Sequence, residues 1–431
     1  MPATAVEPAH PGRVFGLGQG RLVVCFFVLA VVSALKGLHR AIAPEVVYFY
    51  YTNYEFGFIL RGLVGQVFAP LLKTTPVSMH GQIMLVWHIL SLGVLMAVLS
   101  FRAARLVAAT GRADVMAMAL LLFCSPLIPS LAFFVASPDI LLCLVTLGIL
   151  AAMRGGHPVL AWLLFLLGTI IHQLMVFIAL PVMILASVMQ ANRQWLVVVG
   201  SVVVSLLACL VVLMAPPADE RFVQRFVEAG ITPEGARDLY DFQLRQSLTD
   251  MLDKMALIWR AHLLNGLISL TYGTVAAVAI LLGCLSRMNV IQDALRSLIP
   301  VPPGRWQRVV AVLLAVGAGL GPLVVLALAW DFSRLALLST FTSFLVAELL
   351  FRHQGAKLQR SVGTVTAGST ALAAVLLCLP LLALWPAGMK LNNELPIVRN
   401  PVMDIPVVRM AVEHFQAFYD RDKLQPVRVD D

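Results

Sequence analysis

What most constrains this chain is a recurring run of about twenty apolar residues, separated by short connections that carry arginine, glycine and proline. A helix rises about 1.5 Å per residue, so about 20 residues cross a hydrocarbon core of about 30 Å. About eleven segments meet or approach that length: 22–42, 80–101, 115–136, 140–153, 159–171, 174–190, 195–215, 261–284, 309–330, 335–351 and 362–385. In lipid every backbone N–H and C=O must find its partner inside the protein, and runs of this length do so as helices. The expected fold is therefore all-α: a polytopic transmembrane helical bundle over residues 1–385, followed by a tail at 386–431.

Composition removes the main competitors. Hydrophobic residues make up 60% of the chain and charged residues 13%, with a mean hydropathy of +0.89, which is not the balance of a water-soluble domain. The net charge of +8 comes from small basic groups between apolar runs and forms no continuous stripe, so nucleic acid is not an expected partner. The cysteines at 25, 124, 143, 209, 284 and 378 all lie in apolar runs without a CxxC pair. They are expected to pack, and to make neither a metal site nor a disulfide. Residues 1–20 read as a short cytoplasmic tail and not as a cleaved signal.

Short-loop Lys and Arg are retained on the cytoplasmic side. Arg102, Arg105, Arg112, Arg154, Arg193, Arg287, Arg296, Arg305, Arg308, Arg352, Lys357 and Arg360 fall on one face if the N-terminus is inside and the C-terminus outside. Glu7, Asp114, Asp293 and Glu348 accompany them on or near that face. The opposite, extracytoplasmic face of an inner membrane then receives the longer segments, 43–79 and 216–258, and the tail. Segment 43–79 is expected to hold one or two interfacial helices and 216–258 two or more short amphipathic ones. In the tail, Val408, Val412, Phe415 and Tyr419 recur at helical spacing and predict an amphipathic helix.

Candidate chemistry gathers on the outer side. Ile140 to Met153 and Val159 to Ile171 would make helices of about 21 and about 20 Å, short of the core thickness, so their outer turns should be recessed. Those turns carry Asp139, and His172 with Gln173. Asp139 either caps its helix or lines a wet cavity, since a carboxylate at membrane depth needs water or a partner. His172 is either satisfied by a backbone carbonyl or turned toward a ligand. No second His or Cys stands at metal-ligand spacing. Asp331 and Arg334, three apart, form either a structural ion pair or a phosphate clamp in which Asp331 orients the Arg334 fork. GAGLGP at 317–322 reads as close helix packing or a kink. In the first outer segment, Tyr48, Tyr50, Tyr51 and Tyr54 form either an interfacial belt or a stacking surface for a sugar ring. Beside them Glu55 is a candidate general base, and Arg61 a candidate contact for an anionic leaving group.

The motifs YEFGFILRGLVG, SPDILLCLVTLGIL, IIHQLMVFIALP and WDFSRLAL, set in this hydropathy layout, resemble the GT-C class of envelope-glycan glycosyltransferases that use lipid-linked sugars. The resemblance implies a polyprenyl-phosphate sugar as donor, bound among membrane lipids. It also implies an acidic residue of the first outer loop as catalytic base or metal ligand, a role that falls on Glu55. With Asp139 as a second catalytic candidate, Tyr54, Arg61, His172, Gln173, Asp331 and Arg334 would bind substrate. Many members of that class carry paired acids in this loop, whereas Glu55 has no acidic neighbour, and no cofactor is expected. A transporter or flippase of a lipid-linked or anionic solute, and an assembly scaffold, are the alternatives. No internal repeat of the kind common in transporters is present.

Overall fold

The structure is a computed structural model and describes residues 13–14, 17–35, 49–56, 61–133, 135, 137–190, 195–214, 218–243, 273–298, 305–327 and 332–353. Apart from a two-residue antiparallel ladder of Arg13–Val14 with Leu17–Gly18, these residues form helices and their connections. The elements that position the site are α1 (Gln19–Leu35), α2 (Leu63–Thr74), α3 (Val77–Thr110), α4 (Ala113–Cys124), α5 (Leu127–Phe133), α6 (Asp139–Arg154) and α7 (Pro158–Ile171). They are followed by α8 (Met175–Ile178), α9 (Leu180–Gln190), α10 (Trp195–Met214), α11 (Arg221–Glu228) and α12 (Pro233–Gln243). The last group is α13 (273–284), α14 (Met288–Leu298), α15 (Arg305–Leu320) and α16 (Phe332–His353).

Among the described residues six helices are long and apolar enough to cross a membrane: Val77–Thr110, Ala113–Ala132, Trp195–Val212, Gly273–Arg296, Arg305–Val324 and Leu335–Arg352. The chain is thus a helical membrane protein. Burial sorts these helices. In α16 94% of the spanning window is buried, against 22% in α10, so α16 is the central helix and α10 a peripheral one. The inner surface of α16 is lined by Phe341 and Phe344 and by the buried hydroxyls of Ser339, Thr340, Thr342 and Ser343.

Local chemistry sets the ends. Helix α3 starts after Pro76, held extended, and stops at Gly111, whose left-handed φ of 62° lets its N–H reach the Val107 carbonyl. The α6–α7 hairpin turns through Gly155 and Gly156, the latter at φ 76°, and Pro158 opens α7 where a helix needs no N–H. At 16 and 14 residues, both hairpin helices are short, as the sequence indicates.

Several boundaries differ from the sequence expectation. The span placed at 80–101 runs to 34 residues, from Val77 to Thr110, because the helix continues through Arg102 and Arg105 once Arg102 has a buried partner. The span at 115–136 breaks at Ser125 and Pro126, and the one at 309–330 tightens into a 3-10 helix over Gly321–Ala327. That change answers the GAGLGP question as packing. Thr342 and Ser343 donate to the Gly319 carbonyl at 2.5 and 3.2 Å, and a side chain at Gly321 would strike the Phe177 carbonyl at 2.6 Å. The expected span 362–385 and the tail helix at 408–419 lie outside the described residues, as does 261–272.

The bundle has two chemically distinct ends. His80 opens α3 and Arg102 lies 22 residues on, about 33 Å along the helix axis. Arg102 and Arg154 both bond Glu348, so the Arg154 turn of the hairpin is at the Arg102 end. Asp139 and His172, at the open end of that hairpin, are with His80.

Candidate functional site

At the His80 end, residues 49–56 lie across α2. Gly65 of α2 backs directly on the Thr52 carbonyl, leaving no room for a side chain. Tyr50 meets Phe68 edge-on at 4.9 Å and is buried. The neighbouring Tyr51 is fixed through its hydroxyl, 2.6 Å from Nδ1 of His80, whose Nε2 lies 3.0 Å from the Thr75 carbonyl oxygen. A carbonyl only accepts, so Nε2 carries the hydrogen, and in a neutral ring Nδ1 accepts from the phenol. Burial pushes the pKa values of Tyr50, Tyr51 and Tyr54 up, which keeps these phenols protonated as donors.

Helix α11 closes the other wall. Phe222 and Phe226 have no exposed surface. Phe56 packs edge-on against Phe222 at 5.0 Å, and the Arg221 guanidinium lies over the Phe56 ring, 4.5 Å from its centroid. This amphipathic docking delivers Arg225 onto Glu55, whose carboxylate it binds, with Lys73 of α2 at 3.7 Å from the same oxygen. Between these walls is an open pocket of about 160 Å³, lined by Tyr50, Tyr51, Asn53, Lys73, His80, Arg225 and Glu228 among others. Asn53 accepts the Glu55 N–H at 2.9 Å, and the Tyr54 N–H bonds Gln66 Oε1 at 3.2 Å. These bonds set the turn that carries Glu55.

A second group adjoins the first through the helical turn at 49–51. Arg61 has a φ of 72°, unusual for a side-chain-bearing residue. Its N–H bonds the Ile170 carbonyl at 3.1 Å, and its Nε donates to Gln173 Oε1 at 2.8 Å. His172 is buried and packs on Phe49 at 5.5 Å. Its Nδ1 accepts the Leu174 N–H at 3.1 Å, so Nε2 carries the ring hydrogen when neutral. Asp139 is 1% exposed in the first turn of α6, where the helix dipole favours a carboxylate.

The structure therefore brings Glu55, Tyr54, Arg61, His172, Gln173 and Asp139 to one end of the bundle. Glu55 stands beside the open pocket, bound to its lining residues Arg225 and Lys73, and Arg61 with Gln173 and His172 belongs to the adjoining turn. Arg334 is the third residue of α16; its side chain and Asp331 lie outside the described residues. Among the described residues no three His, Cys, Asp or Glu side chains gather as metal ligands do. Sequence reasoning missed Lys73, His80 and Arg225. The Glu55–Arg225 pair joins positions 170 apart, and the usable signal was the Phe222–Phe226 spacing, which fixes the face of α11 that docks.

Fold and site together define a helical membrane protein with a polar, aromatic-walled pocket at one end. Comparison with protein-family models, curated proteins and solved structures returned no match.

Proposed function

We propose that this protein is an integral membrane glycosyltransferase that moves a sugar from a polyprenyl-phosphate carrier to an envelope acceptor on the extracytoplasmic face of a bacterial inner membrane. The observation that carries the reading is the hold on Glu55 of Arg225 and Lys73, two residues that line the adjoining pocket with Tyr50 and Tyr51. An arriving phosphate competes for those two cations. As they turn to it, Glu55 is released to take the proton of an acceptor hydroxyl. The oxygen of that hydroxyl attacks the anomeric carbon, and the bond to the carrier phosphate breaks with its electrons on the phosphate oxygen. Arg225 and Lys73 stabilise the departing charge, while Tyr51, oriented by His80, and Asn53 supply hydrogen bonds to the sugar.

The orientation rests on charge. Arg102, Arg105, Arg112, Arg154, Arg287 and Arg352 belong to the Glu348 end, against Asp114 and Glu348, whereas α11, α12 and the pocket mix both signs. By the positive-inside rule the Glu348 end is cytoplasmic.

A transporter is the second reading, favoured by one contact: the interrupted α8–α9 helix packs at Phe177 against Gly321, where α15 turns into a 3-10 helix. Proteoliposomes supplied with a polyprenyl-phosphate hexose carrying a radiolabelled sugar separate the two. The enzyme reading expects labelled glycoside and free carrier phosphate. Product should be lost in Glu55→Gln, Asp139→Asn and Arg334→Gln at unchanged membrane levels. Full activity in all three, or label crossing the bilayer with its bond intact, contradicts it.

A further inference from the structure

At the opposite end of the bundle three arginines from three helices converge on one carboxylate. Glu348 of α16 has no exposed surface. Arg102 of α3 donates Nε and Nη2 to its Oε2 at 2.9 and 2.6 Å. Arg154, the last residue of α6, donates Nη1 to Oε1 at 2.9 Å, and Arg352, one turn along α16, lies 2.9 Å from the same oxygen. Arg102 and Arg154 are 246 and 194 positions from Glu348 in sequence, so the fold, and not a local charge run, assembles the cluster.

Among the described residues one carboxylate faces three guanidiniums, which leaves an excess of positive charge. Each guanidinium carries five donors, and Glu348 engages two of Arg102 and one each of Arg154 and Arg352. The remaining amine of Arg154, Nη2, is enclosed and has no hydrogen-bond partner among the described residues. An enclosed donor without an acceptor and an uncompensated buried charge are both unfavourable. One kind of group relieves both: an anion with several oxygen acceptors. Arg105, three residues beyond Arg102, is exposed and extends the positive field from the cluster to the surface.

We propose that Arg102, Arg154 and Arg352 form a binding site for one phosphate group, a phosphomonoester or phosphodiester that accepts from the unused donors and offsets the excess charge. Guanidinium forks suit such oxyanions through paired, charge-assisted bonds. The site is about 33 Å along α3 from His80 and does not depend on the chemistry proposed there. Free phosphate and the head of an anionic lipid share this chemistry.

The test is native mass spectrometry of the full chain, delipidated in neutral detergent and titrated with phosphatidylglycerol, with inorganic phosphate, and with a neutral glycolipid lacking phosphate. Saturable binding of one phosphatidylglycerol, undisturbed by inorganic phosphate, assigns a lipid head; saturable inorganic phosphate that displaces the lipid assigns the free anion. Either supports the site if Arg154→Gln weakens binding at least about tenfold while the neutral glycolipid is unaffected. Arg352→Gln, which leaves the bonds of α3 and α6 to Glu348 in place, serves as the second variant should Arg154→Gln not fold. No saturable binding of either phosphate probe by the unaltered protein, or unchanged affinity in the folded variants, overturns the proposal.

Discussion

Replacing Glu348 by glutamine removes the carboxylate on which Arg102, Arg154 and Arg352 converge, and the cost follows from burial. The Glu348 side chain has 0% exposure and Arg102 9%, so this pair cannot hand its charge to water; Arg154 and Arg352, each at 24%, can turn partly outward. Breaking a buried ion pair by removing one partner costs about 3–5 kcal/mol. The glutamine carbonyl still accepts one N–H and the two outer arginines relax, which places the loss near the lower bound, about 3 kcal/mol. That corresponds to about a hundredfold shift in the folding equilibrium. Tryptophan fluorescence during reversible unfolding in mixed micelles of increasing dodecyl sulfate measures it. Asp241→Asn, which removes a surface partner of Arg237, is the control and should leave the midpoint unchanged. A loss below about 1 kcal/mol for Glu348→Gln, the range of exposed pairs, would refute the claim that this cluster is a buried lock between α3, α6 and α16.

Two further predictions concern the pocket end. Arg221 donates its side chain and its backbone N–H to Asp219 and lowers the pKa of that carboxyl to about 2. This contribution at the start of α11 is therefore complete above the ordinary value of 3.8 and is lost as pH falls through about 2. The carbon-13 shift of the Asp219 carboxyl should titrate near 2, and a midpoint near 3.8 would contradict the contact. Gly65→Ala drives a methyl group into the Thr52 carbonyl. With backbone on both sides the 49–56 segment has to shift, at a cost of about 1–3 kcal/mol. Sugar transfer should fall with the protein still inserted, and full activity would show that the segment does not form the site.

The bundle was legible where hydropathy and geometry agree. Trp195–Met214 falls almost where the apolar run places it, the short hairpin of α6 and α7 follows from its length, and of the two or more short helices expected over 216–258, α11 and α12 form within the described 218–243. The common end of Asp139 and His172 follows from the hairpin alone. What hydropathy could not reveal depends on partners distant in sequence. Arg102 read as a loop residue because it follows the apolar run 80–101, whereas Glu348 lets it continue a helix. His80 read as the polar start of a span, yet Tyr51 and the Thr75 carbonyl fix both its nitrogens. Glu55 lacked an acidic neighbour in sequence, but its partners are cations, one of them on α11.

The most direct test of the proposed transfer separates turnover from donor binding in Glu55→Gln and Arg225→Gln, with radiolabelled polyprenyl-phosphate hexose in proteoliposomes. A base that accepts the acceptor proton predicts that Glu55→Gln lowers kcat by at least about a hundredfold with KM little changed. A cation that exchanges Glu55 for the carrier phosphate predicts that Arg225→Gln raises KM by at least about tenfold. Wild-type values of kcat and KM in both variants would contradict the account.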